Sequence, residues 1–491
     1  MISLEMKRDI AALTAREHDV VVIGSGVIGA AVAWDAAQRG LSVALVEASD
    51  FGSGTSSNSL KTIHGGLRYL QSLDLVRMRQ SIAERRALLR IAPELVRPLP
   101  FVAPVYGHGK RGREAFGIGL RLNEWLSFDR NRNVPAERIL PAGRLLARRQ
   151  TLELMPGVDA TGLTGGALWY DAQVADSERL ILAFLLQAAD DGAAIANYVE
   201  VTGLLRQGAR ARGVLARDVE SGVDVEVRAR IVVSAAGPWT ENVLALAGIR
   251  RRIPLLRAVN VVVRRPRLAV NALAAPTDDR YVFMIPWRDR TLIGTAYQPE
   301  GSGSVAETVD ALLGDARRAF AWAELDPADV TFVHCGLVPG ERDANGLWSR
   351  DVVRDHGRTG TGGLISVVGV KYTTARAVAE QVVDLVVQNL GRSVAACRTA
   401  VTPLVHARAL DGTLVERARQ AVTGEMALHL SDLVLRRLDL GAAGPPPPAL
   451  LGEIAERQAR LLDWGDERIA AEKRALDERF GLGLKASGRA A

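Results

Sequence analysis

Short blocks of consecutive apolar residues alternate along this chain with longer stretches in which apolar residues recur every three or four positions. Residues 20–23 (VVVI) are apolar at every position, as a strand covered on both faces requires, and 41–47 (LSVALVE) form a second such run. Between them, 28–39 alternate small and apolar side chains as a packed helix does, and Gly40 ends it. The pattern predicts a strand–helix–strand unit of about thirty residues, the building block of parallel sheets. Residues 230–237 and 364–369 repeat the motif of a buried strand running into glycine, the second leading into a helix over 373–390. Further helices are predicted over 4–16, 73–92 and 178–190, and short strands in YVFMIPW (281–287) and TLIGTAY (291–297). Past about 405 the strand-like runs stop. Segments 413–440, 449–463 and 466–480 read as amphipathic helices, and Gly444 with the prolines at 445–448 separates the first two, because proline neither continues a helix nor donates.

With 491 residues, a prior of ~150 per domain gives two or three domains. Hydrophobic residues at 48 % and charged residues at 24 % exclude a disordered or fibrous chain. The net charge of +6 permits attraction to phosphates or an anionic membrane face. Nucleic acid is not expected as a partner, since the arginine-rich runs 250–252 and 264–267 lack interleaved aromatics. Cys335 and Cys397 are too few for a disulfide framework or a cysteine zinc site, the histidines lack metal-ligand spacing, and a reducing compartment is expected. No apolar run approaches the ~18 residues a membrane span needs. The start, MISLEMKRDI, has no apolar core of a signal peptide, so the expected location is cytoplasmic.

The first chemistry-bearing motif sits inside the strand–helix–strand unit. Gly24, Gly26 and Gly29 form Gly-x-Gly-x-x-Gly between strand and helix, with Ile28 inside it. The first glycine permits the tight turn, the second lets backbone approach a pyrophosphate, and the third allows close helix–strand packing; the helix N-terminus offers N–H groups to the anion. Glu47 ends the second strand, where a carboxylate can accept from both ribose hydroxyls and would repel a 2′-phosphate. The expected dinucleotide is NAD or FAD.

The stretch 54–70, GTSSNSLKTIHGGLRYL, resembles the flavin-binding segment of FAD-dependent glycerol-3-phosphate dehydrogenases, of the D-amino-acid oxidase type. AAGPW (235–239), IPW (285–287), SRD (349–351), VKYTTAR (370–376) and the C-terminal helices extend that resemblance over about 15–480. It implies an α/β fold: a Rossmann-like FAD-binding domain, a mixed-sheet substrate domain and a helical C-terminal domain. Residues 1–400 would form the oxidoreductase region, with FAD-binding segments about 17–95, 165–240 and 345–395 and cap segments about 96–164 and 241–344; the C-terminal domain would span 405–491. The implied cofactor is FAD, and the implied reaction is oxidation of sn-glycerol 3-phosphate, with the C2 hydride passing to flavin N5. No second dinucleotide motif marks a nicotinamide, so electrons are expected to go to a quinone or another acceptor such as oxygen. Family habit extends this to peripheral contact with the inner face of a membrane; the sequence leaves homo-oligomerisation open.

In this reading Thr55, Ser56 and Ser57 donate to the pyrophosphate, and Gly65 and Gly66 lie against the flat flavin ring, where a Cβ would collide. The resemblance adds Lys61, Val201 at the adenine end, Gly237, Trp239 and the turn Gly369, Val370, Lys371, Thr373 to the cofactor side. Arg68, Tyr69, Arg350 and Lys371 are the matching substrate positions, three cations and a phenol for a small anionic substrate. His64 reads either as the proton acceptor or as a structural hydrogen-bonding group beneath the flavin, with His334 in reserve or in the core. The chain departs from the family where Lys-Gly-Ser-His is replaced by Arg257-Ala258-Val259-Asn260, where Val338 precedes Pro339 in place of an arginine, and where a strand ends Gly294-Thr295-Ala296-Tyr297 instead of Gly-Thr-Thr-Asp. Gly369-Val370-Lys371 likewise stands for Gly-Gly-Lys. A related enzyme acting on another hydroxy acid, an amino acid or an amine is therefore the second expectation. A flavoprotein that binds an anionic partner without catalysis is the third.

Overall fold

The computed structural model describes residues 5–109, 112–268, 270–277, 280–341, 346–408 and 411–484. The apolar runs of the sequence become the centre of a first sheet. Its strands lie in the order Val352–Asp355, Leu364–Val368, Asp224–Ser234, His18–Ile23, Val43–Val46, Ala194–Ala196. All neighbours are parallel except the first pair, and every residue of His18–Ile23 is buried. Such double-sided burial is what a run of β-branched residues with no polar alternation encodes. Helices Val27–Gln38, Ser177–Asp190 and Ala375–Leu390 cover one face, where Trp34 stacks on Phe184 at 5.3 Å. The hairpin Val199–Gln207 and Arg210–Asp218 extends Asp224–Ser234 and covers the other.

The second sheet is mostly antiparallel, in the order Gly346–Leu347, Val330–Glu341, Leu255–Val263, Arg290–Pro299, Tyr281–Trp287, Ala272–Pro276, Val96–Tyr106, Leu163–Val174, Thr62–Ile63. Three of its strands fall in segments expected on the flavin side, the two-residue Gly346–Leu347 among them. Leu163–Val174, from the 165–240 segment, pairs along its length with Val96–Tyr106, and Thr62–Ile63 pairs with the end of that same strand. The reason is positional: both strands deliver their ends to the boundary between the sheets, where the site forms.

The helix expected over 4–16 is the five-residue turn Ile10–Thr14, because the Asp9 carboxylate accepts from the Ala12 N–H and fixes its start there. The helix expected over 413–440 is two elements, Leu414–Gly424 and a π-helix Asp432–Arg437. Met426 has φ +54°, and the Asp432 carboxylate accepts from the N–H groups of Leu428 and His429, opening a new helical start. Pro448 begins the next helix, Pro448–Leu462, and Asp466–Leu484 follows. These helices share a hydrophobic cluster with the second sheet: Leu433, Val434, Leu476 and Phe480 pack with Phe101, Trp287 and Phe332. Asp50, just past the second strand of the first sheet, ties them to the other half. It is buried and accepts from Arg436 and from Arg437 at 2.7 Å. Burial pushes its carboxyl up, but the two guanidiniums outweigh that and hold it down at about 2.

Candidate functional site

The glycine turn is built as its spacing requires. Gly24 has φ +97°, and a Cβ there would lie 2.8 Å from the Ala235 carbonyl oxygen; a Cβ on Gly29 would lie 1.9 Å from the Gly24 oxygen. Neither position admits a side chain. Gly26 starts helix Val27–Gln38 without a side-chain cap, and the Val27 N–H donates to Ser56 Oγ at 3.0 Å. Glu47 is half-buried; Oε2 accepts from the Ser25 N–H and hydroxyl at 2.7 and 2.9 Å, and Oε1 from Ser49 N–H at 3.0 Å. Burial lifts this carboxyl above the ordinary range, against those three hydrogen bonds. Glu47 thus braces the glycine turn. The strand carrying Val201 begins beside it, Val199 N–H donating to the Glu47 carbonyl at 2.7 Å.

The loop 54–61 is stitched into the protein more tightly than its hydroxyls suggest. Thr55 Oγ1 donates to the Leu337 carbonyl at 2.7 Å, and Ser57 Oγ to the Gly54 carbonyl at 3.1 Å. Of the three hydroxyls only Ser56 stands at the helix N-terminus, so donation to a pyrophosphate from Thr55 and Ser57 would compete with these bonds. Lys61 is not a surface cation. Its side chain is fully buried, and its ammonium donates to Glu178 at 2.8 Å, Ser177 Oγ at 2.7 Å and the Ser57 carbonyl at 2.9 Å. All three protons are engaged within the protein, so its side chain braces the loop and does not reach a cofactor.

Gly65 and Gly66 must be glycines, for a different reason from the expected flat ring. A Cβ on Gly65 would fall 2.1 Å from the Arg85 guanidinium, and one on Gly66, at φ +84°, would fall 2.7 Å from the Tyr69 ring. Protein groups already occupy those spaces. On the far side, Gly237 has φ +54° and Trp239, exposed, lays its ring against Gly54. The turn 369–374 closes the cradle: a Cβ on Gly369 would meet Ile28 Cδ1 at 2.0 Å, the Val370 N–H donates to Asp351 Oδ1 at 2.6 Å, and Thr373 Oγ1 accepts from the His64 N–H at 3.2 Å. Five separated segments thus meet at the carboxyl ends of the first sheet's parallel strands, the usual place for a ligand in such sheets.

Next to this cradle lies a cationic group. Lys371 Nζ stands 4.0 Å over the Tyr69 ring, and Arg77 stacks on the ring at 4.7 Å. Burial and the Arg68 charge push the Lys371 ammonium down to about 8. Arg68 also acts on Tyr297, whose phenol burial pushes up. Arg350 is exposed: its charge acts on Asp74, and Arg77 donates to the adjoining Ser349 carbonyl at 2.6 Å. Asn260 is buried, donating to the Asn58 carbonyl at 3.1 Å and accepting from Thr295 Oγ1 at 2.7 Å. His334 is core, edge-on to Phe332 and Trp287.

Two acids that the sequence did not single out organise the site. Asp351 anchors the 369–374 turn, and Asp171 sits behind His64. A carboxylate inside an otherwise apolar strand, as in GGALWYDAQV, is the signal that could have found the second.

The close-packed glycine turn, the helix start with glycine at its cap position and the acid after the second strand fit a dinucleotide such as FAD. Gly24, Gly26 and Ser56 would hold its pyrophosphate, and the backbone at 64–66 and 369–371 its ring. Residues 19–385 match the profile of the FAD dependent oxidoreductase family. A glycerol-3-phosphate dehydrogenase of Synechocystis is 35 % identical over 426 residues, covering 82 % of this chain and 76 % of that protein. Glycerol-3-phosphate dehydrogenase 2 of Mycobacterium tuberculosis is 36 % identical over 481 residues, covering 94 % and 79 %. In fold, the chain is similar to the glycerol-3-phosphate dehydrogenase of Bacillus halodurans complexed with FAD, with a TM-score of 0.75 at 23 % identity over 99 % of both chains. On this agreement of sequence, fold and cradle, the chain belongs to the FAD-dependent glycerol-3-phosphate dehydrogenases and takes FAD as its cofactor.

Proposed function

We propose that this chain oxidises sn-glycerol 3-phosphate to dihydroxyacetone phosphate and hands the electrons to a quinone or another acceptor. The observation that carries the reading is the grouping of Arg68, Tyr69 and Lys371 beside His64 at the edge of the cradle. A phosphate monoester carries nearly two negative charges at neutral pH, and two cations match it, the guanidinium by a two-point fork and the ammonium as a point charge. Tyr69, held between Lys371 and Arg77, limits where the ammonium can point. His64 is half exposed on the site side and takes the C2 hydroxyl proton, leaving a ketone. FAD in the cradle supplies the two-electron acceptor for the C2 hydride.

Anaerobic mixing of the flavin-loaded protein with glycerol 3-phosphate is expected to bleach the flavin absorbance. A second reading, a different small hydroxy acid, amino acid or amine, is favoured by Asn260, Val338 and Tyr297. Asn260 spends its amide on Asn58 and Thr295, and Val338 brings no cation. The same mixing with a panel of such compounds separates the readings: bleaching by one of them and not by glycerol 3-phosphate would replace the first with the second.

Among the described residues no helix is long and apolar enough to cross a membrane. Contact with an anionic bilayer surface is supported by another feature. Leu73, Val76, Trp125 and Phe128 are 74, 79, 72 and 80 % exposed on two neighbouring helices and their ends, with Arg79 stacked on Phe128. Residues 73–132 hold twelve Lys and Arg against six Asp and Glu, an excess equal to that of the whole chain. Apolar tips among surplus cations suit insertion at a headgroup layer. Vesicles containing phosphatidylglycerol are expected to sediment the protein at low salt, and Trp125→Ser with Phe128→Ser to weaken this several-fold. Equal sedimentation of both proteins would remove the surface from consideration.

A further inference from the structure

His64 leaves the cradle wall with one side open and one side against a carboxylate. Its Nδ1 lies 3.6 Å from Asp171 Oδ2, on strand Leu163–Val174. The other carboxylate oxygen is fully engaged: Oδ1 accepts from the Gly65 N–H at 2.6 Å and from Arg85 Nη1 at 2.5 Å, and Arg85 is itself held by the Tyr170 carbonyl at 2.8 Å. The Asp171 side chain is only 6 % exposed. It cannot turn away, because doing so would strip the buried Arg85 of its acid and the Gly65 N–H of its acceptor. One carboxylate therefore fixes both the backbone after His64 and the surroundings of its ring.

We infer that Asp171 is a positioning residue, which selects the Nδ1–H tautomer of neutral His64 and so presents Nε2 as the acceptor for the substrate hydroxyl proton. The inference rests on His64 being the base proposed above. A neutral imidazole has one donor and one acceptor nitrogen, and the nitrogen facing an ionised acid is the one that keeps the proton. At 3.6 Å the pair is longer than a hydrogen bond, but the carboxylate is close enough for its charge to favour a proton on the nitrogen that faces it. Asp171 is ionised throughout the working range. Burial pushes its carboxyl up, but His64, the Arg85 charge and the Gly65 N–H more than offset it and bring it to about 2. The other charges around the site are the cations Arg68 and Lys371, and Arg85, which Asp171 neutralises.

The test begins with the wild-type holoenzyme, histidine-labelled with 15N; only seven histidines contribute, and the His64 signals are those missing from His64→Gln. Long-range 15N–1H correlation is expected to show neutral His64 protonated at Nδ1. Protonation at Nε2 would by itself overturn the inference. In Asp171→Asn the carboxylate is lost, so the Nδ1–H tautomer is no longer selected and the Nε2–H form should appear in the same spectrum. kcat is expected to fall about tenfold, with Asp171→Glu restoring both the tautomer and the rate. An unchanged tautomer in a flavin-loaded Asp171→Asn protein would also overturn the inference. If His64→Gln keeps wild-type kcat, the base assignment itself fails, whatever the tautomer shows.

Discussion

Exchanging Lys61 for methionine is expected to lower folding stability by about 3–5 kcal/mol, the scale for removing one member of a buried ion pair. Methionine matches the length of the lysine stem, so the loss is electrostatic and not a cavity. In the native protein the Lys61 ammonium is the main partner of Glu178, which otherwise accepts from Ser177 Oγ at 2.9 Å. Burial pushes the Glu178 carboxyl up and Lys61 outweighs it, so the carboxyl sits below its ordinary range. That wild-type contribution is present above the unfolded pKa and is lost as pH falls through the folded one. Without Lys61 the sign reverses. The buried carboxyl, next to Asp176, would have a folded pKa above its unfolded value, so the variant is relatively better off in acid and worse as pH rises. Urea unfolding at pH 5 and pH 8 measures this: the gap to wild type should be wider at pH 8. Lys61→Met with Glu178→Met should recover most of the loss, since apolar pairs replace buried ion pairs at little cost. A single-variant loss under 1 kcal/mol, with no change in pH dependence, would contradict the account.

Lys61 also shows where the sequence stops being readable. A lone lysine in a loop of serines and glycines reads as an anion-binding side chain; its partner lies 117 positions away, and nothing local announces the pairing. The glycine turn is the opposite case. Gly29 packs on the Gly24 carbonyl a few residues away, so the spacing of the turn is legible, although the atom that closes Gly24 is the Ala235 carbonyl past strand Asp224–Ser234. Gly65 and Gly66 lie between these extremes. That no side chain fits there is legible, but the occupant is not: the Arg85 guanidinium arrives from helix Leu75–Ile91. Asp171 was missed for the same reason as Glu178, since its meaning depends on which strand end meets the cradle. The C-terminal helices were visible by periodicity, whereas the break between Gly424 and Asp432 depends on a carboxylate that caps two N–H groups.

These long-range polar ties share a direction. Glu178 through Lys61, Asp50 through Arg436 and Arg437, and Asn58 through Asn260 each hold the segment 50–61 to a different part of the molecule. That segment lies between the helix N-terminus and the second sheet, and its conformation must be set before a dinucleotide can fit. Buried polar pairs contribute little net stability but strongly disfavour alternatives in which one member is unmatched. The arrangement thus trades stability for a fixed loop, and it places the reading of Ser56 as a pyrophosphate contact on a rigid support.

Substrate affinity should fall as pH rises through about 8, and Lys371→Met should show the same low affinity at every pH. The ammonium of Lys371 is pushed down to about 8 by burial and by Arg68, so it is mostly charged at pH 7 and mostly neutral at pH 9. The second ionisation of a phosphate monoester, near pH 6, is complete over that interval, so the substrate does not change charge with it. kcat/KM reports ionisations of the free enzyme, and its alkaline limb should therefore fall near 8. Removing a charge-assisted contact to a dianion costs on the order of 2–3 kcal/mol, or about a hundredfold in kcat/KM at pH 7. Lys371→Arg separates charge from shape. A guanidinium stays protonated across the range, so this variant should keep a part of the affinity and lose the alkaline limb. If the limb near 8 persists in both variants, the titrating group is elsewhere and Lys371 does not hold the phosphate.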